Sequence, residues 1–281
     1  MSFYVASLHL EGKQWGTCKQ YSNTILRLLR KAGFKIDNSA WSIFTAARKG
    51  FKKTRPPKQD KRLPITPKVL EQFLPHLDLE HTHDDRVFWG TACPMVYGLF
   101  RCAELTADGD SPCFPRERDF TPVRGAETKA ANMHLPQSKT DILSQGVDVP
   151  LVANDSLTCP LKAIAAMKEG SPLHAPFPES PLFRLEDGSP VSGKWFRKRI
   201  KELVQKANLG DGQKYTAHSC RRGGAQALFD AGVPPTHIKI IGRWKSNSFL
   251  HYIGVTLDQM LRSSALMSTA QTSLRLAFAS F

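Results

Sequence analysis

Cysteine is sparse and scattered. The six cysteines, at positions 18, 93, 102, 113, 159 and 220, form no Cys-x-x-Cys pair. That spacing matches no zinc ligand set, so the thiols read as reduced side chains and no metal is expected. His81, His83, Asp84 and Asp85 follow one another too closely for a preformed metal cage. No run of about 18 apolar residues occurs, so no helical membrane span is expected. The first residues lack the basic segment and apolar core of a secretory leader, so the chain is expected to work inside a cell. No internal repeat is visible. Acidic residues do not cluster beside the cationic motifs below, which disfavours a metal-dependent nuclease.

Basic charge, in contrast, is abundant. Lys and Arg number 39 against 25 Asp and Glu, a net charge of +14 over 281 residues. Such an excess favours a polyanionic partner, nucleic acid before an anionic membrane surface. With 41% apolar and 23% charged residues, the chain can still bury a core of one large or two modest domains.

The pattern along the chain predicts a protein that is mainly α with a small antiparallel β-hairpin or sheet (α+β). Residues 2–47 read as helices, with Tyr21, Ile25, Leu28 and Leu29 at helical spacing. A basic run follows over 48–62. Arg48, Lys49, Lys52, Lys53, Arg55, Lys58, Lys61 and Arg62 crowd around Pro56-Pro57. Prolines and self-repulsion predict an extended linker, serving as a solvated hinge, a nuclear-import signal or a strap along phosphates. The expected domains are therefore 1–62 and 63–281. In the second, Thr66-Pro67 reads as the start of a helix through Leu77, followed by a helical pattern over 84–106. Residues 107–126 read as irregular. Two strands between Ala131 and Leu151 flank the turn-rich 138–146. Further helices are expected at 160–168, 191–208, 217–231, 234–242 and 246–262.

Several residues suit one chemistry, attack on a phosphodiester by a side chain. The transition state gathers negative charge on non-bridging oxygens, and arginine forks match oxygen pairs. A tyrosine nucleophile must shed a proton despite an ordinary pKa of about 10, and the leaving oxygen must gain one. His218 and Arg221 are spaced i,i+3 within Thr216-Ala217-His218-Ser219-Cys220-Arg221-Arg222-Gly223-Gly224-Ala225, so they share a helix face. Gly223-Gly224 lets another backbone approach closely. Arg101 precedes Glu104, which is placed to hold a neighbouring cation. Lys139 lies at the tip of the expected hairpin, Trp244 carries an indole donor, and Tyr252 follows. Arg222 reads as a structural cation or a phosphate contact.

Taken in order, Arg101, Lys139, His218, Arg221, Trp244 and Tyr252 resemble the motif of the tyrosine recombinases, the phage-integrase-like enzymes and their relatives in eukaryotic mobile elements. The likeness covers about 63–260 well and 1–62 weakly. It implies a helical core-binding-like domain followed by a catalytic domain. It implies that Arg101 and Arg221 grip the scissile phosphate while His218 and Trp244 donate to it. Tyr252 would form a 3′-phosphotyrosine link, and Lys139 would protonate the leaving 5′-oxygen. Glu104 would support the arginines, and the basic run and Arg222 would contact DNA. The partner implied is double-stranded DNA, held by a homo-tetramer; no cofactor, small-molecule substrate or membrane is called for. The compartment follows the host, the nucleus in a eukaryote and the cytoplasm otherwise. Trp244 stands eight residues before Tyr252, one fewer than in many prokaryotic members, and the N-terminal region is short. These departures motivate an alternative, a catalytically degenerate DNA-binding remnant of a mobile element. Supercoil relaxation of the type IB topoisomerase kind shares the chemistry and is a third reading. The tail at 263–281, with Leu274, Leu276 and Phe278, reads as a docking segment or a frayed end.

Overall fold

The computed structural model describes residues 1–35, 37–55, 62–107, 114–125, 128–136, 146–171, 177–254 and 261. They fall into two compact units, Met1–Lys61 and Arg62–Phe281.

Among the described residues the first unit is three helices, α1 (Ser2–Leu10), α2 (Trp15–Lys31) and α3 (Asn38–Thr54). Asp37 starts α3 by accepting from the Ala40 N–H at 2.8 Å. Val5, Leu8, Cys18, Leu26, Phe44 and Phe51 form its buried core. The last of these corrects the sequence reading. Residues 48–54 are not an extended linker but the final two turns of α3. Phe51 lies two turns beyond Phe44 on the same face, and its burial outweighs repulsion among the lysines. Lys49, Lys52 and Lys53 point outward from that helix. Arg48 lies over the rings of Trp15 and Phe44 at 5.6 and 5.3 Å. Large apolar side chains also face solvent, and Phe3, Phe34, Trp41, Ile43 and Phe44 help line a hollow of about 770 Å³.

The second unit is mainly helical with one small sheet, as expected. Among the described residues its helices include α4 (Pro67–Glu71), α5 (His83–Tyr97), α6 (Cys102–Leu105), α7 (Pro160–Glu169), α8 (Gly193–Lys206), α9 (Ala217–Asp230) and α10 (Pro235–Ile241). Strands β1 (Phe120–Pro122), β2 (Ala130–Leu135) and β3 (Val147–Val152) make an antiparallel sheet in that order, with Met133 opposite both Phe120 and Val149. Ala131, Met133 and Leu135 alternate inward, as the period-two pattern predicts. α5 is buried along almost its whole length, and its Phe88 stacks on Phe196 of α8 at 5.3 Å.

Four boundaries differ from the sequence reading. Thr66 does cap α4, accepting from the Val69 N–H, but the helix stops at Glu71 and a 3-10 turn, Leu74–His76, carries Pro75. The pattern over 84–106 is two helices, because the chain turns sharply at Gly98–Arg101. β1 lies in the stretch expected to be irregular; three residues ending in proline give no readable alternation. In place of the helix expected over 246–262, residues 246–254 hold a 3-10 turn, Asn247–His251, anchored by buried Phe249 and started by Ser246, with Tyr252 at its end. The expected docking tail at 263–281 lies outside the described residues.

Candidate active site

α5 and α10 end in the same way. Each has glycine at the C-cap (Gly98, Gly242), then a bulky left-handed residue (Leu99 at φ 48°, Arg243 at φ 58°), then an aromatic ring (Phe100, Trp244). The Phe100 N–H donates to Met95 O at 3.1 Å and the Trp244 N–H to Lys239 O at 3.0 Å, the long-range bond of a Schellman cap. Glycine usually takes the left-handed place. Here it stands one residue earlier, because the aromatic folds back over it. A Cβ on Gly98 would lie 2.2 Å from the Phe100 ring, and one on Gly242 would lie 1.7 Å from Trp244. Each left-handed side chain costs roughly 1–2 kcal/mol.

The two ends place backbone carbonyls, the negative poles of their helices, around a cation. Arg221 of α9 donates from Nη1 to Leu99 O and from Nη2 to Gly242 O. Its guanidinium lies 4.2 Å from the centre of the Trp244 ring, and the residue is only 1% exposed. Burial and neighbouring Arg101 push its pKa down to about 9, which leaves it a cation at neutral pH. α9 is seated by its own sequence. Thr216 and Ser219 cap its start reciprocally. Gly223 and Gly224 press against backbone, where a Cβ would meet Ile65 O at 1.8 Å and Val96 O at 2.1 Å.

Glu104 gathers two further cations. Its Oε2 accepts from the Arg101 backbone N–H at 2.8 Å and from Arg243 Nη2 at 3.0 Å, while Oε1 accepts from Arg101 Nη1. Burial alone pushes the Glu104 carboxyl up. Arg243, the Arg101 N–H, and the charges of Arg101 and Arg221 more than offset this and hold it below the usual carboxylate value. Three guanidinium groups thus share one buried carboxylate, leaving an excess of positive charge suited to an anion.

Tyr252 closes the group. Its phenolic oxygen is 2.5 Å from His218 Nε2, with the two rings edge to face. Where Nε2 is the unprotonated nitrogen, the phenol donates to it and the imidazole can take its proton. Tyr252 also lies 5.8 Å from Trp244, ring to ring, and 5.3 Å beneath the Arg222 guanidinium.

Six of the residues singled out in the sequence thus gather in one cluster: Arg101 and Glu104 join Arg221 by way of Arg243 and the Leu99 carbonyl, and Arg221 leads through Trp244 to Tyr252 and His218. The Trp244 ring faces Arg221 and Tyr252, packing that the indole N–H reading did not foresee. Arg222 donates to the Arg62 carbonyl at 2.9 Å, tying the first residue of the second unit to α9. Lys139, Lys58 and Lys61 lie outside the described residues. His83, Asp84 and Asp85 serve packing, against Arg184 O, the Glu186 N–H and Arg199 respectively. The sequence reading missed Arg243. A signal was present, in that Gly98-Leu99-Phe100-Arg101 and Gly242-Arg243-Trp244-Lys245 share one pattern of glycine, bulky residue, aromatic and cation.

No family model matches the sequence, and no curated protein matches it. Solved structures do match. The Tn1549 transposon integrase in complex with transposon right-end DNA aligns with a TM-score of 0.60 at 15% identity, over 95% of this chain and 84% of that one. A lambda integrase dimer bound to a COC′ core site gives 0.55 at 16% identity, over 89% and 77%. XerA recombinase gives 0.52 at 16% identity, over 94% and 96%. The chain has the fold of the tyrosine recombinases and integrases.

Proposed function

We propose that the protein cleaves and rejoins DNA strands through a 3′-phosphotyrosine intermediate, as a site-specific recombinase or integrase. The observation that carries this reading is the 2.5 Å approach of the Tyr252 hydroxyl to His218, in a cluster that also holds Arg221 and the Arg101–Glu104 pair. Arg101 and Arg221 stabilise the non-bridging oxygens of the scissile phosphate. His218 takes the phenolic proton as Tyr252 attacks. Trp244 backs Arg221 and contributes its indole donor to the phosphate, and Lys139 protonates the leaving 5′-oxygen. Attack by a 5′-hydroxyl of a second strand reverses the step, so the ester-bond energy is conserved and ATP is not needed. The partner is double-stranded DNA, which four protomers join in recombination, and the compartment is that of the host genome. The solved neighbours named with DNA support this partner, as does the excess of positive charge. The first unit acts as a DNA clamp through Lys49, Lys52, Lys53 and Arg55, with Arg48 reaching DNA only by leaving its ring contacts.

The test is incubation with a library of nicked duplexes, read as a protein–DNA adduct that survives denaturation. The wild type should trap at its preferred site and Tyr252→Phe at none. Salt-sensitive DNA binding with no adduct on any duplex would refute catalysis and leave the remnant reading. Relaxation of plasmids lacking any preferred site would move the assignment to the topoisomerase cycle.

A further inference from the structure

We propose that Arg243 is a positioning residue: it ties the ends of α5 and α10 together and fixes Glu104, so that Arg101 and Arg221 meet a phosphate as one rigid pair. This rests on the strand-cleaving reading above and extends it to a residue outside the six-residue motif.

Arg243 bonds to one group that orients each of the two phosphate-gripping arginines. From its own place at the end of α10, its Nη1 donates to Gly98 O at 3.1 Å and its Nη2 to Leu99 O at 3.3 Å, both at the end of α5. Leu99 O is the same carbonyl that holds Arg221. Nη2 also reaches Glu104 Oε2 at 3.0 Å, and Glu104 in turn holds both the backbone and the side chain of Arg101. The Arg243 fork thus fixes the carbonyl on one arginine and the carboxylate on the other.

Stability alone does not account for this residue. Its φ of 58° is a place where glycine sits without strain. Its Nε is buried, and among the described residues it has no acceptor, an expensive condition for a polar group. Its guanidinium lies 5.1 Å from the Phe100 ring, the aromatic of the α5 cap, so the side chain spans from one helix end to the other. A strained, partly unsatisfied side chain that links two helix ends to two cationic groups fits preorganisation better than packing.

The test uses the full chain on its preferred nicked duplex. Arg243→Gly removes the fork while relaxing the backbone. Adduct formation should slow about 100-fold, with affinity for the duplex within about threefold of wild type. Glu104, facing Arg101, Arg221 and Arg243, should lose the first of the cations that keep it ionised. The acid-side loss of stability that follows protonation of Glu104 should therefore begin at higher pH than in the wild type, a change that a packing role would not produce. Arg243→Lys keeps the charge without the fork and should recover part of the loss. Combining Arg243→Gly with Glu104→Gln should add little to either alone, because both act through one contact. A wild-type rate and pH dependence of stability in Arg243→Gly, or losses that multiply in the double variant, would overturn the proposal while leaving the enzyme reading intact. If Arg243→Gly does not fold, a wild-type rate in Arg243→Lys overturns it instead. A wild type that binds duplexes yet never forms an adduct would bring down the enzyme reading and this proposal together.

Discussion

The two units place their side chains in opposite ways. The first leaves apolar groups in water, with Phe3 at 92% and Leu10 at 86% exposure, around a core of six buried apolar residues. The second brings charge inside, burying Arg221 to 1% and Glu104 to 4%. Their charge balances differ as well. Residues 1–61 hold thirteen Lys and Arg against three acidic residues, and so carry ten of the fourteen net positive charges. In the first unit Lys49, Lys52 and Lys53 stay outside, on the far face of a helix closed by Phe44 and Phe51. In the second, helix-end carbonyls and one carboxylate compensate the cations in place. The contrast teaches that a guanidinium enters a core only where oriented acceptors are already built, and that building them takes strained helix ends.

The sharpest way to break the contrast is to remove the buried cation. Arg221→Met keeps the volume but leaves the carbonyls of Leu99 and Gly242 without their donor, and Trp244 without its stacked partner. We expect a loss of about 3–5 kcal/mol in denaturant unfolding, together with loss of adduct formation. Unchanged stability would show that the two helix ends hold together without the arginine. Glu104→Gln should cost about 2–3 kcal/mol at neutral pH, since it leaves two partly buried guanidinium groups facing a neutral amide. This penalty has a pH signature. The folded-state pKa of Glu104 lies below its ordinary value of 4.5, so the carboxylate's contribution is complete above about pH 4.5 and fades as pH falls through the lower folded value. The gap between wild type and Glu104→Gln should therefore narrow on acidification. A gap that is constant with pH would mean the carboxylate charge is not what stabilises the fold.

Much of this contrast was legible in the sequence, for identifiable reasons. The Gly223-Gly224 pair announced the close packing of α9, because steric rules act over a few residues. The alternation in 131–151 announced β2 and β3. The i,i+3 spacing placed His218 and Arg221 on one helical face, and each now faces its own partner in the site. The unreadable parts depend on distant neighbours. Whether 48–54 is helical turns on Phe51 finding Val5 and Leu8, which no local rule reports. Leu99 and Arg243 adopt left-handed conformations that propensity disfavours, because Phe100 and Trp244 claim the space beside the glycines. Glu104 as a hub for two arginines required α10 to arrive beside α6.

A smaller effect tests the seat of α9. Gly223→Ala sets a methyl group against the Ile65 carbonyl, where backbone and not a flexible side chain must give way. Overpacking of this kind costs about 1–3 kcal/mol. Because α9 carries both His218 and Arg221, adduct formation should fall with it, by more than stability alone explains. A folded Gly223→Ala protein with full activity would show that the helix tolerates displacement from residues 62–66.

The smallest effect belongs to the first unit. Phe3→Ser removes a ring that is 92% in solvent, and surface changes of this kind usually lie within about 0.5 kcal/mol. Thermal unfolding should barely move, and solubility should rise because an apolar group leaves the surface. The charges in this unit behave in the same solvent-exposed way, so replacing Lys49, Lys52 and Lys53 by Gln should leave the fold intact. The change should appear in DNA binding as a shallower dependence of log affinity on log salt, by about 0.9 for each phosphate that is no longer neutralised. An unaltered salt slope would remove the outer face of α3 from the DNA-binding surface and leave that task to the second unit.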